Sequence, residues 1–237
     1  MFVEHNFFVG LGYIDFNSNL KIKSLLRFLE DAGGIHSNKV GYGFLDIPKK
    51  KRSWVLINWK VKILKRPRYA ENLRVVTWVY EMEKLYALRD FEVYNESGEL
   101  VIIASSKWVC IDTEKSSIIK IEPELREAYT VENKRVFKDE IEKLKEPKEY
   151  IEEAEVQITR DMIDVNSHVH NINYIDFAAH ILPYEVMQKA TNIEVMYKKE
   201  IKENDKIKCK YAVEDGADYV VIKSLDDKVL HAIIKLS

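Results

Sequence analysis

What this chain has little of narrows its class first. Two cysteines, Cys110 and Cys209, are too few for a disulfide framework or a zinc cluster; they fit a reducing compartment and read as small core residues. Neither charge is in excess: 37 basic residues stand against 39 acidic ones, a formal net charge of −2. Nothing global therefore favours nucleic acid, and any polyanion must be met by a local cluster. No stretch approaches the ~18 uninterrupted apolar residues of a membrane span. The opening "MFVEHNFFVG" has no basic region leading into a long apolar run, so no signal peptide is expected and cytoplasm is the default. Nor is any compositional extreme present, which excludes a disordered chain. With 237 residues and 46% hydrophobic content, the chain can bury a core in one large or two small domains.

Residues 3–13, 53–64, 73–82, 86–94 and 100–111 carry β-branched and aromatic residues with partial alternation and read as strands. Between the first two, Leu20, Ser24, Leu25, Phe28, Leu29 and Ala32 fall at helical spacing, predicting a helix over 20–40 that Asn17, Ser18 or Asn19 can cap. "YNESGELV" is a turn between strands, with Asn95 and Gly98 supplying its chemistry. Residues 132–150 are charged, weakly periodic and closed by Pro147, which predicts a linker with room for a short helix. The pattern then restarts: an extended stretch at 151–160, a helix over about 171–188, and strands near 191–201, 206–213, 218–224 and 229–236.

This restart is an internal repeat. Asp15 and Asp164 lie 149 positions apart, and the same offset carries Asn17 to Asn166, Ser18 to Ser167, Asn19 to His168 and Phe28 to Phe177. With the offset shrinking to 138, Trp59-Lys60 falls on Tyr197-Lys198, and Lys62 falls on Glu200. The two halves thus differ where one has His and Glu and the other Asn and Lys, as in a duplicated domain whose second half alone kept its chemistry.

Read by themselves, the residues leave alternatives open. An Asp-x-Asn-x-His stretch before a helix is often only a capped turn bonding its own backbone, although both copies share those cap residues and only one has the histidine. His168 and His170 sit at alternate positions, as two metal ligands on a strand would, yet no further Cys or His lies at ligand spacing. Glu200 reads equally as a solvated partner of Lys198 or Lys199. His180 and His231 read as helix-surface or strand residues. Trp54, Trp59, Trp78 and Trp108 read as packing residues, some of them able to line a tunnel.

"DVNSHVHNINYIDF" at 164–177, with "YKKEI" at 197–201, resembles the acyl-acyl carrier protein (acyl-ACP) thioesterases of plant plastids and their bacterial relatives. So do "LLRFLEDAGGIHSNKVGYG", "SWVLINWKVKILKRPRYAENLRVVTW" and "LRDFEVYNESGELVIIASSKWVCID" in the first half. The resemblance implies an α+β double hotdog, in which each repeat wraps an antiparallel sheet around a long helix. The expected organisation is an N-terminal, catalytically degenerate, acyl-pocket repeat at 1–130, a linker at 131–150 and a catalytic repeat at 151–237. It also implies hydrolysis of fatty acyl-ACP to free fatty acid and ACP, with no cofactor and no metal. Asp164, Asn166, His168 and Glu200 match the family's catalytic positions, and Asn171 and Tyr174 are expected at the substrate.

Two departures from the plant pattern bear on mechanism. Ile201 replaces the cysteine that follows the glutamate, so a thiol nucleophile there is unavailable. His170 stands where the family usually has Asn. The expected partner is ACP, met by "KKKR" at 49–52, "KRPR" at 65–68, or Lys198, Lys199 and Lys202; neither nucleic acid nor membrane is expected, and a homodimer is left open. Competing readings are an acyl-CoA thioesterase, a hotdog hydratase or dehydratase, and a non-catalytic acyl-binding module.

Overall fold

The apolar residues at helical spacing become α1 (Ile22–Lys39) in the computed structural model, which describes all 237 residues. Ile22, Leu25, Leu26, Phe28, Leu29, Ala32 and His36 form its buried stripe. The helix ends at Val40, after which Gly41 takes φ +74°, a conformation glycine adopts without strain. Its N-cap is Lys21, with no side-chain hydrogen bond, so the expected capping by Asn17, Ser18 or Asn19 does not occur. Those three residues belong instead to a loop that Asp15 organises.

The chain forms two compact units, Met1–Ile141 and Glu142–Ser237. The first unit contains β1 (Val3–Phe8), α1, a single-turn α2 (Ile47–Lys50), β2 (Arg52–Ile63), β3 (Asn72–Met82), β4 (Ala87–Tyr94), β5 (Leu100–Asp112), a two-residue β6 (Ser117–Ile118) and α3 (Pro123–Tyr129). The second contains β7 (Glu152–Val156), α4 (Asn173–Ile181), α5 (Tyr184–Lys189), β8 (Asn192–Tyr197), β9 (Ile207–Glu214), β10 (Ala217–Ser224) and β11 (Leu230–Leu236). Strand order within the first is β1-β3-β4-β5-β2, and within the second β7-β9-β10-β11-β8, antiparallel throughout. The same path is thus traced twice. In each unit the helix after the first strand, α1 or α4, packs on the sheet, giving two hotdog repeats.

Several expected elements are shorter than their patterns suggest, β7 and β8 among them, which end at Val156 and Tyr197. Leu11–Tyr13 turn as a 3₁₀ segment, ending β1 at Phe8. The helix expected over 171–188 breaks after Ile181, because Pro183 cannot continue the ladder and biases Leu182 to an extended ψ of 142°.

Residues 132–150 hold no helix; the unforeseen helix, α3, lies earlier. The segment is nevertheless fastened. In the first unit, Trp78 Nε1 donates to the Lys134 carbonyl (2.7 Å), the Val136 amide donates to Asp90 Oδ2 (2.7 Å), and Lys134 pairs with Glu92 (2.6 Å). In the second, Leu144 packs with Met196, Val221 and Ile233. Each stretch covers the sheet face opposite the helix. That is why β4 is buried from Ala87 to Val93 without alternation. No helix is long and apolar enough to cross a membrane.

Candidate active site

Asp164 shapes the motif loop through its own backbone. Its Oδ1 accepts from the amides of Asn166 (2.8 Å) and His168 (3.1 Å), its amide donates to the His168 carbonyl (2.7 Å), and its carbonyl accepts from Ser167 (3.0 Å). Ser167 is left at φ 63°, and Ile163 bridges Val169. The first unit repeats every feature: Asp15 Oδ1 accepts from Asn17 (2.8 Å) and Asn19 (3.0 Å), Ser18 stands at φ 63°, and Ile14 bridges Leu20. The loop is therefore an Asx-turn scaffold common to both copies, and what differs is the side chain it presents, His168 or Asn19.

Hydrogen bonds fix the repeat register beyond the reach of sequence. Val169 N donates to the Ile201 carbonyl and Leu20 N to the Pro67 carbonyl, both at 2.8 Å. Asp205 Oδ2 takes the Lys202 amide as Glu71 Oε1 takes the Arg68 amide. Ile201 and Pro67 lie 134 positions apart, as do Asp205 and Glu71, so the counterpart of Glu200 is Arg66. The expected counterpart, Lys62, instead lies inside β2, paired with Ile103 of β5. The sequence offset of 138 slipped by four residues because strand pairs carry no local marker of register.

The second unit brings together Asp164, Asn166, His168 and the Glu200 loop: Val169 N to Ile201 O, with the His168–Lys202 bridge, lays the motif beside it. Glu200 and Asn166 are exposed and His168 half-buried. The motif feeds directly into α4, whose N-terminal amides carry partial positive charge. His170 Nδ1 accepts from the Ile172 amide (3.4 Å), placing that ring at the helix start. Asn171 holds a buried Oδ1 with no hydrogen-bond partner, while its carbonyl accepts from Tyr197 (3.4 Å). Tyr174 is 3% exposed and edge-on to Tyr197 at 5.4 Å. Burial pushes its hydroxyl pKa up, and the charge of Glu200 adds to the effect. No three His, Cys, Asp or Glu side chains converge as a metal-binding group.

Both thiols are buried, and burial pushes Cys110 up to about 11 and Cys209 up to about 12. Neither is a ready nucleophile near neutral pH. The basic clusters separate by their pairing. Lys50 is paired with Glu124, Lys51 with Glu114, and Arg52 with both Asp112 and Glu122. Lys198, Lys199 and Lys202, flanking Glu200, are exposed and enter no ion pair.

The first unit holds a partly open pocket of about 120 Å³ between α1 and the sheet, lined by Gly33, Gly34, Trp54, Met82, Arg89 and Trp108 among others. Arg89 is 5% exposed, and its Nη1 donates to His36 Nδ1 (3.0 Å) and Thr77 Oγ1 (3.1 Å). Burial first, then the Arg89 charge, lowers His36 to about 3, so its ring is neutral and accepts through Nδ1.

Comparisons with known proteins follow the same division. The acyl-ACP thioesterase N-terminal domain matches residues 2–129, and the acyl-ACP thioesterase C-terminal domain matches 145–234. An oleoyl-acyl carrier protein thioesterase of Coriandrum sativum is 23% identical over 93% of this chain. The chain spans 65% of that protein's length and about half that of other curated relatives it matches. Among solved structures, an acyl-ACP thioesterase from Bacteroides thetaiotaomicron superimposes with a TM-score of 0.88 at 21% identity, covering 99% of this chain and 96% of the other. The 12:0-ACP thioesterase from Umbellularia californica gives 0.87 at 18% identity, covering 100% and 96%. With both repeats matched in order and the fold shared along their length, the chain belongs to the acyl-ACP thioesterase family.

Proposed function

We propose that this chain hydrolyses fatty acyl-ACP thioesters to free fatty acid and ACP, ending chain elongation, with Asp164, Asn166, His168 and Glu200 as its catalytic residues. The observation that carries the reading is the asymmetry of a duplicated loop in a member of this family: His168 and Glu200 in one copy, Asn19 and Arg66 in the other. Glu200 acts as general base, taking a proton from water as the water oxygen bonds to the thioester carbonyl carbon. Asn166 stabilises the oxyanion, with the positive end of the α4 dipole behind it. The C–S bond then breaks, and the proton returns through His168 to the leaving pantetheine thiolate, restoring the enzyme. Asp164 holds Asn166 and His168 in place through their amides, and Asn171 lies at the substrate.

Three further parts complete the proposal. The unpaired Lys198, Lys199 and Lys202 suit an acidic carrier and its pantetheine phosphate better than the 49–52 cluster, where Lys50, Lys51 and Arg52 already pair with acidic neighbours. The cavity beside Gly33 and Gly34 takes the acyl chain, so substitutions there change chain-length preference. A cytoplasmic site of action accords with two free cysteines. The test is hydrolysis of an acyl-ACP panel of varied length, read by thiol release, beside the same acyl groups on CoA. Turnover of acyl-ACP well above acyl-CoA is expected. Preference for CoA, or water addition to an enoyl thioester without thiol release, overturns the reading.

A further inference from the structure

We propose that His231 is a positioning residue for this reaction, fixing the peptide that carries Glu200; the proposal rests on the catalytic assignment of Glu200 above. His231 lies where the pairing of β11 with β10 slips: Ile222 faces Ala232 but Lys223 faces Leu230, leaving His231 as the extra residue of a β-bulge. Bulges re-aim side chains beside functional sites. The imidazole is 3% exposed, and its Nδ1 lies 3.1 Å from the Lys199 carbonyl. A carbonyl only accepts, so Nδ1 carries the proton and donates. The His231 carbonyl in turn accepts from the amides of Lys198 (2.8 Å) and Lys199 (3.4 Å). On the far side, the Ile201 carbonyl takes the Val169 amide at 2.8 Å. Glu200 is thus the one residue between two pinned carbonyls.

The first copy is an internal control. Val101 is the bulged residue of β5 against β4, between Val93–Ile102 and Tyr94–Leu100, and its carbonyl accepts from Leu64 (2.8 Å) and Lys65 (3.0 Å). The backbone clamp therefore belongs to the scaffold in both copies and forms with valine in place. The imidazole bond to the loop carbonyl is added only in the copy that has Glu200 where the other has Arg66. A buried imidazole is costly unless bonded, and this one spends its donor on the peptide next to the proposed base. Its effect is to set the direction in which Glu200 leaves the chain.

The test compares kcat, KM and thermal midpoint for the parent, His231→Val, His231→Asn, Glu200→Gln and the Glu200→Gln, His231→Val double variant on one acyl-ACP. Valine is the first copy's own residue, and asparagine keeps a donor near the Nδ1 position. A kcat loss of about 10- to 100-fold in His231→Val is expected, with KM and thermal midpoint close to the parent, since small misplacements of reacting groups cost on this scale. His231→Asn should recover most of the rate, and His231→Val should add no further loss to Glu200→Gln. A parental kcat in His231→Val, beside an inactive Glu200→Gln, overturns the positioning role and leaves the site assignment standing. Losses that add in full, or a folded His231→Asn as slow as His231→Val, also overturn it. Parental activity in Glu200→Gln overturns both readings. Should His231→Val fail to fold, His231→Phe keeps the ring and removes the donor, with the same outcomes.

Discussion

Val169 donates its amide to the Ile201 carbonyl at 2.8 Å, one residue beyond each of the two side chains that distinguish the copies, His168 and Glu200. A single backbone bond thereby ties the motif loop to the glutamate loop, and its twin, Leu20 to Pro67, ties Asn19 to Arg66 in the same way. Scaffold and chemistry can be tested apart because the chain carries both with and without the reactive residues.

His168→Ala and Glu200→Gln should each lower acyl-ACP hydrolysis by about 10²-fold or more, the scale of general acid–base and electrostatic groups. Circular dichroism should be unchanged. Asn19→Ala should hydrolyse at close to the parental rate. Loss of activity in Asn19→Ala to the level of His168→Ala, with the fold intact, would show that the first copy takes part in the chemistry.

Asp164 and Asp15 make the same two bonds to backbone amides, and only one of them lies beside a histidine. Asp15→Ala and Asp164→Ala should therefore each destabilise by about 1 kcal/mol, as loss of a capping acceptor does. Asp164→Asn keeps an acceptor and should retain most activity, whereas Asp164→Ala should not. Urea unfolding and initial rates measured on the same samples decide; an inactive, fully folded Asp164→Asn would assign the carboxylate charge itself to catalysis.

Burial raises both thiols well above neutral pH. The double variant Cys110→Ala, Cys209→Ala should hydrolyse acyl-ACP at the parental rate, and the native parent should resist a thiol-specific alkylating reagent until unfolded. Inactivation of the folded parent by that reagent contradicts this.

Asp90 is 1% exposed with one oxygen unpartnered, and burial, outweighing the Val136 amide, raises its pKa from 3.8 to about 6. The folded state therefore holds the proton more tightly than the unfolded one. The resulting stabilisation is complete below about 3.8 and is lost as pH rises through about 6. Asp90→Asn keeps an acceptor for Val136 without the buried charge. Its stability relative to the parent should climb by on the order of 3 kcal/mol between acid and neutral pH, as a shift of about two pK units implies. Denaturation at pH 3.5 and 7.5 measures the difference; a flat difference would mean Asp90 titrates normally.

The sequence by itself determined the duplication, the order of the main strands with the principal helix of each half, and the Asp-x-Asn-x-His loop, because these rest on local periodicity and on side chains bonding their own backbone; the short helices α2 and α3 left no such pattern. Asp15 and Asp164 could be equated by eye, since the loop each caps is only a few residues long. Tertiary structure alone decided what depends on partners far apart along the chain. Arg66 rather than Lys62 answers Glu200 because register is set by bonds from Leu20 to Pro67 and from Val169 to Ile201, across 47 and 32 positions. The charged stretch at 132–150 read as a loose linker, yet two sheet faces needed covering, and Trp78 and Asp90 hold it by its backbone. His231 read as an ordinary strand residue. A β-bulge, which leaves no mark in hydrophobic periodicity, turns it toward the carbonyl beside Glu200.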